Sequence, residues 1–322
     1  MTSDENVASS GVARLREQER SLRSESLMTK ALRRLRRDRL TMISLMTILF
    51  FVVLSVAAPV ISDALGVDPT TTDGRNNFLP ICNPFADVDS RAQVACELGH
   101  YLGTDNLGRD HLSRLLYAGQ ISLAIGFVSA IVTVVIGLIL GMATGYFGGI
   151  LDDFINWVIT TLNSVPSLYL LIAISAIFRP SPEALILVFA IVGWTGDTRL
   201  IRGQTFAIRD LDYVMAARAL GAPPLRIMRQ HVFPNLISIL AVSLALSIGG
   251  IILAEAALSF LSLGVQPPTP TWGNMLTESQ NYFRNDAFHL ALFPGLLITI
   301  TVLCLYIIGD GVRDAFDPTV ND

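Results

Sequence analysis

Few side chains in this 322-residue sequence combine a type and a spacing that suit chemistry. Glu255 is the acid that lies well inside a long apolar run, and an ionisable group at membrane depth is costly unless it is paired or hydrated. A carboxylate in that position suits a translocation path, where it would couple to an ion. The alternative that we keep open is a hydrogen bond from Glu255 to a neighbouring helix near the outer face.

Residues for catalysis or metal binding do not form a recognisable arrangement. The four histidines are scattered, without the paired spacing of a zinc site, and no nucleophile elbow is present. Lys30 is the one lysine of the chain and no glycine precedes it, so a phosphate-binding Gly-Lys-Ser/Thr loop cannot form. We therefore expect no catalytic residue, no metal and no cofactor in this chain. Energy for any pumping must come from a partner or an ion gradient.

A second polar group of residues is Asp105, Arg109, Asp110 and Arg114. Two acids and two arginines this close in sequence could form a catalytic or an ion-binding cluster. We favour a structural role, in which they cap and brace a short helix at the membrane surface.

Two of the three cysteines, Cys82 and Cys96, lie in a long polar segment, whereas Cys304 lies in the last apolar run. If the polar segment is outside the cell, a Cys82–Cys96 disulfide would close a 15-residue loop and stabilise it. Two free thiols are the alternative.

The composition places these residues in a membrane. The chain is 52% hydrophobic and 16% charged, with a mean hydropathy of +0.54, which is typical of an integral membrane protein. Residues 1–39 hold ten of the 23 Lys and Arg and directly precede the first apolar run. Contact with membrane lipid explains this basic segment, and nothing in the sequence indicates nucleic-acid binding.

Six apolar stretches predict an all-α integral membrane protein with six transmembrane helices. By residue number they are 40–61, 121–146, 154–178, 184–199, 236–263 and 290–308. They divide the chain into a basic cytoplasmic segment 1–39, a first transmembrane helix 40–62, an extracytoplasmic loop 63–119, a core of five transmembrane helices 120–312 and a cytoplasmic tail 313–322. An amphipathic surface helix is expected near the end of the first segment, with a partly disordered tail as the alternative.

Glycine and proline predict how the spans pack. Gly137, Gly141 and Gly145 recur every four residues, so one helix face is bare and another helix can approach it closely. Pro166 lies inside the third span and should kink it, and Asn163 beside it can hydrogen-bond freed backbone groups. For Asn163 and Pro166, a structural kink and a lining of the translocation path are both open.

The distribution of Lys and Arg predicts the orientation. With six spans, 17 of them fall on the side that holds both termini and the segment 200–235, and six fall on the other side. The positive-inside rule therefore places both termini and this segment in the cytoplasm. It also places Cys82 and Cys96 outside, where a disulfide persists.

The segment 210–235 is polar between two apolar runs, and we call it the elbow. Asp210 and Asp212 are N-cap candidates for a first helix at 213–220. Gly221 suits the left-handed backbone conformation that ends such a helix. The elbow therefore begins with a short helix outside the hydrocarbon.

A second helix is expected after the turn. Pro224 suits its first turn, and Pro234 starts or kinks the span that follows. In the first helix, Ala216, Ala217 and Gly221 form a surface almost without side-chain bulk, which we call the small face. Another protein can approach the backbone closely there.

This pattern resembles the EAA loop of the permeases of ABC importers, with its two alanines, a glycine four residues on and a proline thirteen residues after the glycine. In that family the loop docks into a cleft on an ATPase subunit and transmits its motion. The family's leading Glu is Met215 here, and its Ile and Leu before the proline are His231 and Phe233. The residues that the resemblance assigns to ATPase coupling are Asp212, Tyr213, Ala216, Ala217, Arg218, Gly221, Arg226 and Pro234.

Three further stretches, 102–123, 258–276 and 309–319, resemble the dipeptide, oligopeptide and nickel branch of the same family and its C-type subunit. The most specific is LGVQPPTPTWGNML in 258–276. The resemblance implies the type I ABC importer permease fold with a cytoplasmic coupling-helix loop, in a bacterial or archaeal plasma membrane.

The resemblance also implies partners. They are a second homologous permease, two ATPase subunits that bind ATP and Mg, and an extracytoplasmic solute-binding protein, with peptides as the expected cargo. The alternative function is an ion-coupled secondary transporter or channel that uses Glu255. Such proteins commonly show internal repeats and several intramembrane charges, which we do not find in the sequence.

Overall fold

The computed structural model describes residues 27–85, 90–177, 181–280 and 287–316, and these ranges are helical apart from loops and one isolated β-bridge between Thr104 and Asp110. The helices are α1 Leu27–Arg37, α2 Arg39–Val56, α3 Ala58–Leu65, α4 Arg91–Glu97, α5 His111–Phe147, α6 Gly149–Asn163, α7 Ser167–Ser175, α8 Pro182–Arg209, α9 Asp212–Ala219, α10 Pro224–Ile227, α11 Phe233–Phe260, α12 Trp272–Ser279 and α13 His289–Phe316. A π-helical turn, Met228–Val232, joins α10 to α11. The parts of the predicted terminal segments at 1–26 and 317–322 lie outside the described residues.

Six crossings account for the apolar helices. Five are long and apolar enough to span a membrane, namely α2, α5, α8, the continuous stretch Pro224–Phe260 and α13. The sixth is the pair α6 and α7, which meet at 84°. The prediction of an all-α fold with six spans is confirmed, but the third span is not one kinked rod. It breaks before Pro166, because proline lacks an N–H and its ring clashes with the preceding turn.

Three helices begin or end at residues other than the expected ones. The expected short surface helix before the second span is the first part of α5 itself, a single helix of 37 residues and about 55 Å. Asp110 caps it by accepting a hydrogen bond from the backbone of Ser113 at 2.6 Å. The first span ends at Val56 and the chain turns into α3, while α13 continues to Phe316, past the expected start of the tail.

The centre of the fold is the contact between α5 and α8. The facing pairs are Gly137 with Asp197, Gly141 with Ile201, and Gly145 with Thr205, so the two helices run parallel. A Cβ atom added at Gly141 would lie 2.8 Å from the Ile201 Cβ and 2.9 Å from the Thr198 carbonyl oxygen. The glycines allow this close approach of the two backbones, as their spacing predicts.

The end of the core at the start of α5 is closed by α12. Trp272 is 2% exposed, and its indole N–H donates to the Leu115 carbonyl of α5 at 3.1 Å. Its backbone N–H donates to the Ser122 hydroxyl at 3.0 Å. Trp272 is therefore held inside the protein, since a buried tryptophan needs a partner for its N–H and α5 provides one.

The opposite end begins with α1, which occupies the position of the expected amphipathic helix. Ala31 is buried, and Arg36 and Arg37 are exposed. Asp38 caps α2 by accepting hydrogen bonds from the backbone of Leu40 and Thr41. The Thr41 hydroxyl also donates to Asp38 and holds the pKa of that carboxyl below its usual range.

The segment between α3 and α5 is cross-linked by a disulfide between Cys82 and Cys96. The bond joins the stretch before α4 to α4 itself, across 14 positions of sequence. We expect Cys82→Ala with Cys96→Ala to lower the free energy of unfolding by about 3 kcal/mol, because the unfolded chain regains the freedom of a 15-residue loop. Thermal unfolding of the purified chain, with and without a reductant, measures this. An equal shift in Cys304→Ala would show that the effect is not due to the cross-link.

Candidate functional site

The elbow is a short two-helix turn between α8 and α11. Its first helix, α9, begins after Leu211, and no side chain caps it. The expected caps are wrong, because Asp210 is the residue that ends α8 and Asp212 is already the first residue of α9. Gly221 ends the turn with φ of +84°, the left-handed conformation that the sequence predicts.

The end of α9 is closed by backbone hydrogen bonds. The Gly221 N–H donates to the Arg218 carbonyl at 3.0 Å, and the Ala222 N–H donates to the Ala217 carbonyl at 3.1 Å. This pair is the Schellman arrangement, which satisfies carbonyls that a helix end leaves free. The direction of the chain after α9 is therefore set by the backbone itself.

The second half of the elbow continues into α11 without a break in the helix. α10 starts at Pro224, and Pro234 lies in the first turn of α11. Between them is the π-helical turn Met228–Val232. Pro234 cannot donate a backbone hydrogen bond, and a widened turn before it relieves the clash of its ring with that turn.

Buried side chains fasten the elbow to the two spans that it connects. Val214, Ile227 and Val232 of the elbow are fully buried. They pack in one cluster with Ile201 and Ile208 of α8 and Leu236 of α11. Because interiors of this kind are close-packed, a displacement of the elbow moves the adjoining ends of α8 and α11 with it.

The opposite side of the elbow is open. Ala216 and Gly221 are exposed and Ala217 is partly exposed, so the small face is accessible. Leu220 is 89% exposed and Leu225 is 74% exposed beside it. Large apolar side chains left uncovered on a polar segment indicate a surface that binds another protein.

The polar residues assigned to coupling fall into two groups. Tyr213 and Arg218 contact this chain: the Tyr213 hydroxyl accepts from Asn235 at 3.2 Å, and the Arg218 guanidinium lies 5.3 Å from the ring centre of Tyr146. Asp212 and Arg226 are exposed, as are the apolar residues beside the small face. The first two therefore connect the elbow to the rest of this chain, and all four are exposed.

Glu255 is a residue of α11 that packs against the start of α12, and it is 1% exposed. One carboxylate oxygen accepts hydrogen bonds from Thr271 and from Ser259, both at 2.8 Å. A Cβ atom at Gly273 would lie 2.7 Å from the other carboxylate oxygen, so the glycine makes room for the acid. These contacts match the hydrogen-bonding alternative, and the path role of Glu255 stays a prediction.

Substitutions of Glu255 separate the two roles. We expect Glu255→Leu to lower the free energy of unfolding by about 2–4 kcal/mol, since two buried hydroxyls lose their acceptor. Glu255→Gln keeps an acceptor oxygen and should preserve both stability and transport. Thermal unfolding and uptake assays on both variants test this. A Glu255→Gln variant that folds normally and cannot transport would restore the path role.

Sequence reasoning missed two acidic residues in the spans. Asp197 of α8 is buried and accepts a hydrogen bond from Ser243 of α11, which ties the two helices that flank the elbow. Asp152 of α6 pairs with Arg202 of α8, with an Nη2–Oδ2 distance of 2.6 Å. Asp197 lies inside the predicted fourth span, so the rule applied to Glu255 would also have found it.

The path candidates Asn163 and Pro166 lie at the break between α6 and α7. The side-chain amide oxygen of Asn163 accepts from the Thr195 hydroxyl of α8 at 3.3 Å, and Pro166 is the residue directly before α7. The Ser164 hydroxyl donates to the Thr161 carbonyl at 2.7 Å and so satisfies a backbone group that the break frees. Their role in a path stays a prediction.

The charged residues at the start of α5 form a network of ion pairs and hydrogen bonds. Arg109 pairs with Asp105 at 2.6 Å, and Arg114 reaches Glu278 of α12 at 3.3 Å. Asp110 accepts from His100 at 2.9 Å as well as capping α5. In the described parts of the chain no group of His, Cys, Asp and Glu is arranged to hold a metal ion. The cap from Asp110 and these ion pairs are contacts of the structural kind that we favoured from the sequence.

Comparison with known proteins identifies the group to which this architecture belongs. Residues 133–322 match the family of the binding-protein-dependent transport system inner membrane component, and residues 26–80 match the N-terminal transmembrane domain of oligopeptide transport permease C. A chain of the MetNI methionine ABC transporter, solved in an inward-facing conformation, is 21% identical with a TM-score of 0.50. The match covers 61% of this chain and 93% of that one. It shows the type I importer permease fold.

Relatives with assigned names cover most of the chain. The dipeptide transport system permease protein DppC of Bacillus subtilis is 33% identical over 92% of this chain and 87% of its own. The oligopeptide permease OppC of Haemophilus influenzae is 32% identical over 94% and 91%. The glutathione permease GsiD of Pectobacterium atrosepticum is 41% identical over 68% and 72%. The chain belongs to the family of binding-protein-dependent transport system inner membrane components, the permease subunits of ABC importers.

Proposed function

We propose that this chain forms half of the translocation path of a peptide importer and receives the motion of an ATPase through the elbow. The observation that carries the proposal is the open small face, bordered by exposed Leu220 and Leu225 and fixed by buried residues to both flanking spans. Peptides are proposed as cargo because several relatives are named as dipeptide or oligopeptide permeases.

The proposed assembly has four kinds of partner. A second, homologous permease completes the path, and an extracytoplasmic solute-binding protein delivers the substrate. Two ATPase subunits bind ATP and Mg on the cytoplasmic side, so this chain is itself not catalytic. Both termini and the elbow lie in the cytoplasm of a bacterium or archaeon, which the excess of Lys and Arg on that side supports.

Purification and reconstitution test the proposal. The chain, isolated in detergent from its own membranes, should retain a second permease and two copies of an ATPase. In proteoliposomes with the solute-binding protein, that complex should accumulate a radiolabelled dipeptide only when ATP is supplied. A homo-oligomer without an ATPase, or uptake driven by an ion gradient without ATP, would contradict it. Uptake of a nickel chelate in place of the dipeptide would overturn the cargo alone.

A further inference from the structure

The break between α6 and α7 lies near the middle of the membrane. The ion pair between Asp152 and Arg202 marks the inner part of α6. Asn163, the last residue of α6, is eleven positions further along the helix, which is roughly 16 Å. Since the hydrocarbon core is about 30 Å thick, a helix that starts at its inner edge places Asn163 close to the midplane.

The contact with α8 gives the same depth. Asn163 accepts a hydrogen bond from Thr195, and Thr195 is two residues before Asp197. Asp197 faces Gly137, which lies within the long uncharged part of α5. The break therefore lies at the level of Gly137 in α5, and both polar ends of α5 are far from this position.

The break is also uncovered in this chain. The polar residues on its surface are Thr160, Thr161, Asn163, Ser164, Ser167 and Tyr169, and Val165, Pro166 and Leu168 between them are exposed as well. None of these nine side chains is charged. We call this surface the polar break.

Lipid cannot be what covers the polar break. Hydrocarbon offers no hydrogen bonds, so non-helical backbone at membrane depth persists only where protein or water covers it. The last turn of α6 leaves carbonyl groups outside the helical ladder, and each unsatisfied group in an apolar medium costs several kcal/mol. The surface of α2, in contrast, is apolar at similar depth, with Leu49 53% and Val53 56% exposed.

We propose that the polar break lines the water-filled path and offers hydrogen-bond acceptors and hydroxyls to the main chain of a passing peptide. This ligand rests on the proposed function. Uncharged amide and hydroxyl groups suit the amides that all peptides share, and they do not discriminate among side chains. Of the nearby acids, Asp152 is paired with Arg202 and Asp197 accepts a hydrogen bond from Ser243.

Cysteine accessibility in the assembled complex tests this. Ser167→Cys and Thr160→Cys, each in a Cys304→Ser background, are exposed to a charged, membrane-impermeant methanethiosulfonate in proteoliposomes. Leu49→Cys is the control at similar depth on α2. Because the reactive thiolate forms in water and not in hydrocarbon, we expect modification at the polar break to be at least about tenfold faster than at the control. Saturating dipeptide with the binding protein should slow it several-fold.

Each outcome of this experiment tests a different part of the proposal. Equally slow modification at all three positions, in a complex that still takes up dipeptide, would overturn the polar break as an aqueous surface and leave the transport function standing. Fast modification that dipeptide does not slow would overturn the peptide contact. Failure of the unsubstituted complex to take up dipeptide would overturn the peptide as ligand and as cargo. Assembly and uptake of each cysteine variant are measured first, so that a folding defect is recognised.

Discussion

Ala216→Trp is expected to reduce ATP-driven uptake by about tenfold to a hundredfold while the chain remains in the membrane at its normal level. Ala216 is exposed on α9, and its replacement disturbs no buried contact of the elbow. A clash of the indole with a close-fitting partner costs about 1–3 kcal/mol, and each 1.4 kcal/mol is a factor of about ten in binding. The ATPase activity of the complex should no longer respond to the solute-binding protein, or it should be lost because the ATPase subunit no longer binds.

Gly221→Trp should have an equal or greater effect, for two reasons that must be separated. It adds bulk to the small face, and it forces a side chain into a backbone conformation with φ of +84°. Gly221→Asn is the control, because asparagine tolerates the left-handed conformation and adds little bulk. We expect Gly221→Asn to retain most of the uptake.

Two results would contradict the coupling role of the elbow. One is normal uptake by Ala216→Trp, since a bulky group would then fit where the small face requires none. The other is a loss of uptake in Ala216→Trp that comes with a loss of the chain from the membrane. Ala219→Ser serves as a matched exposed substitution of α9 that adds little volume. Membrane content by immunoblot and retention of the ATPase in detergent distinguish these cases.

The features that could be predicted from the sequence are those that depend on local chemistry. Gly221 was recognisable because a glycine after a short polar helix suits a left-handed end, and the structure has that conformation. The repeat of Gly137, Gly141 and Gly145 predicted a close helix contact because spacing by four places residues on one face. Which helix would fill that face, α8, could not be predicted, since the partner follows from the path of the whole chain.

The features that could not be predicted depend on distant segments. The 84° bend at Pro166 exceeds an ordinary proline kink, because α7 leaves α6 to pack against the N-terminal part of α8. Trp272 is buried because α5 supplies an acceptor 157 positions earlier in sequence. Asp210 does not cap α9, because α8 extends through Arg209 and Asp210 is the residue that ends α8. In each case a tertiary contact outweighed the local preference.

Gly141→Leu is expected to lower the free energy of unfolding by about 3 kcal/mol or more, the upper range for overpacking. Its Cβ alone would lie 2.8 Å from the Ile201 Cβ and 2.9 Å from the Thr198 backbone carbonyl. The carbonyl cannot turn aside as a flexible side chain can, so α5 and α8 must separate. Thermal unfolding of the purified chain in detergent, together with its yield, measures the effect.

Gly196→Leu and Gly203→Leu on α8 are the matched controls. A Cβ atom at either position meets no atom from another part of the described chain within 4 Å. All three substitutions gain helix propensity, since leucine is a better helix former than glycine. The controls should therefore be neutral or stabilising in the isolated chain, and only Gly141→Leu should destabilise. Equal destabilisation by all three substitutions would mean that these helices do not tolerate added bulk at any of these positions. The effect at Gly141 would then not be due to the parallel contact of α5 and α8.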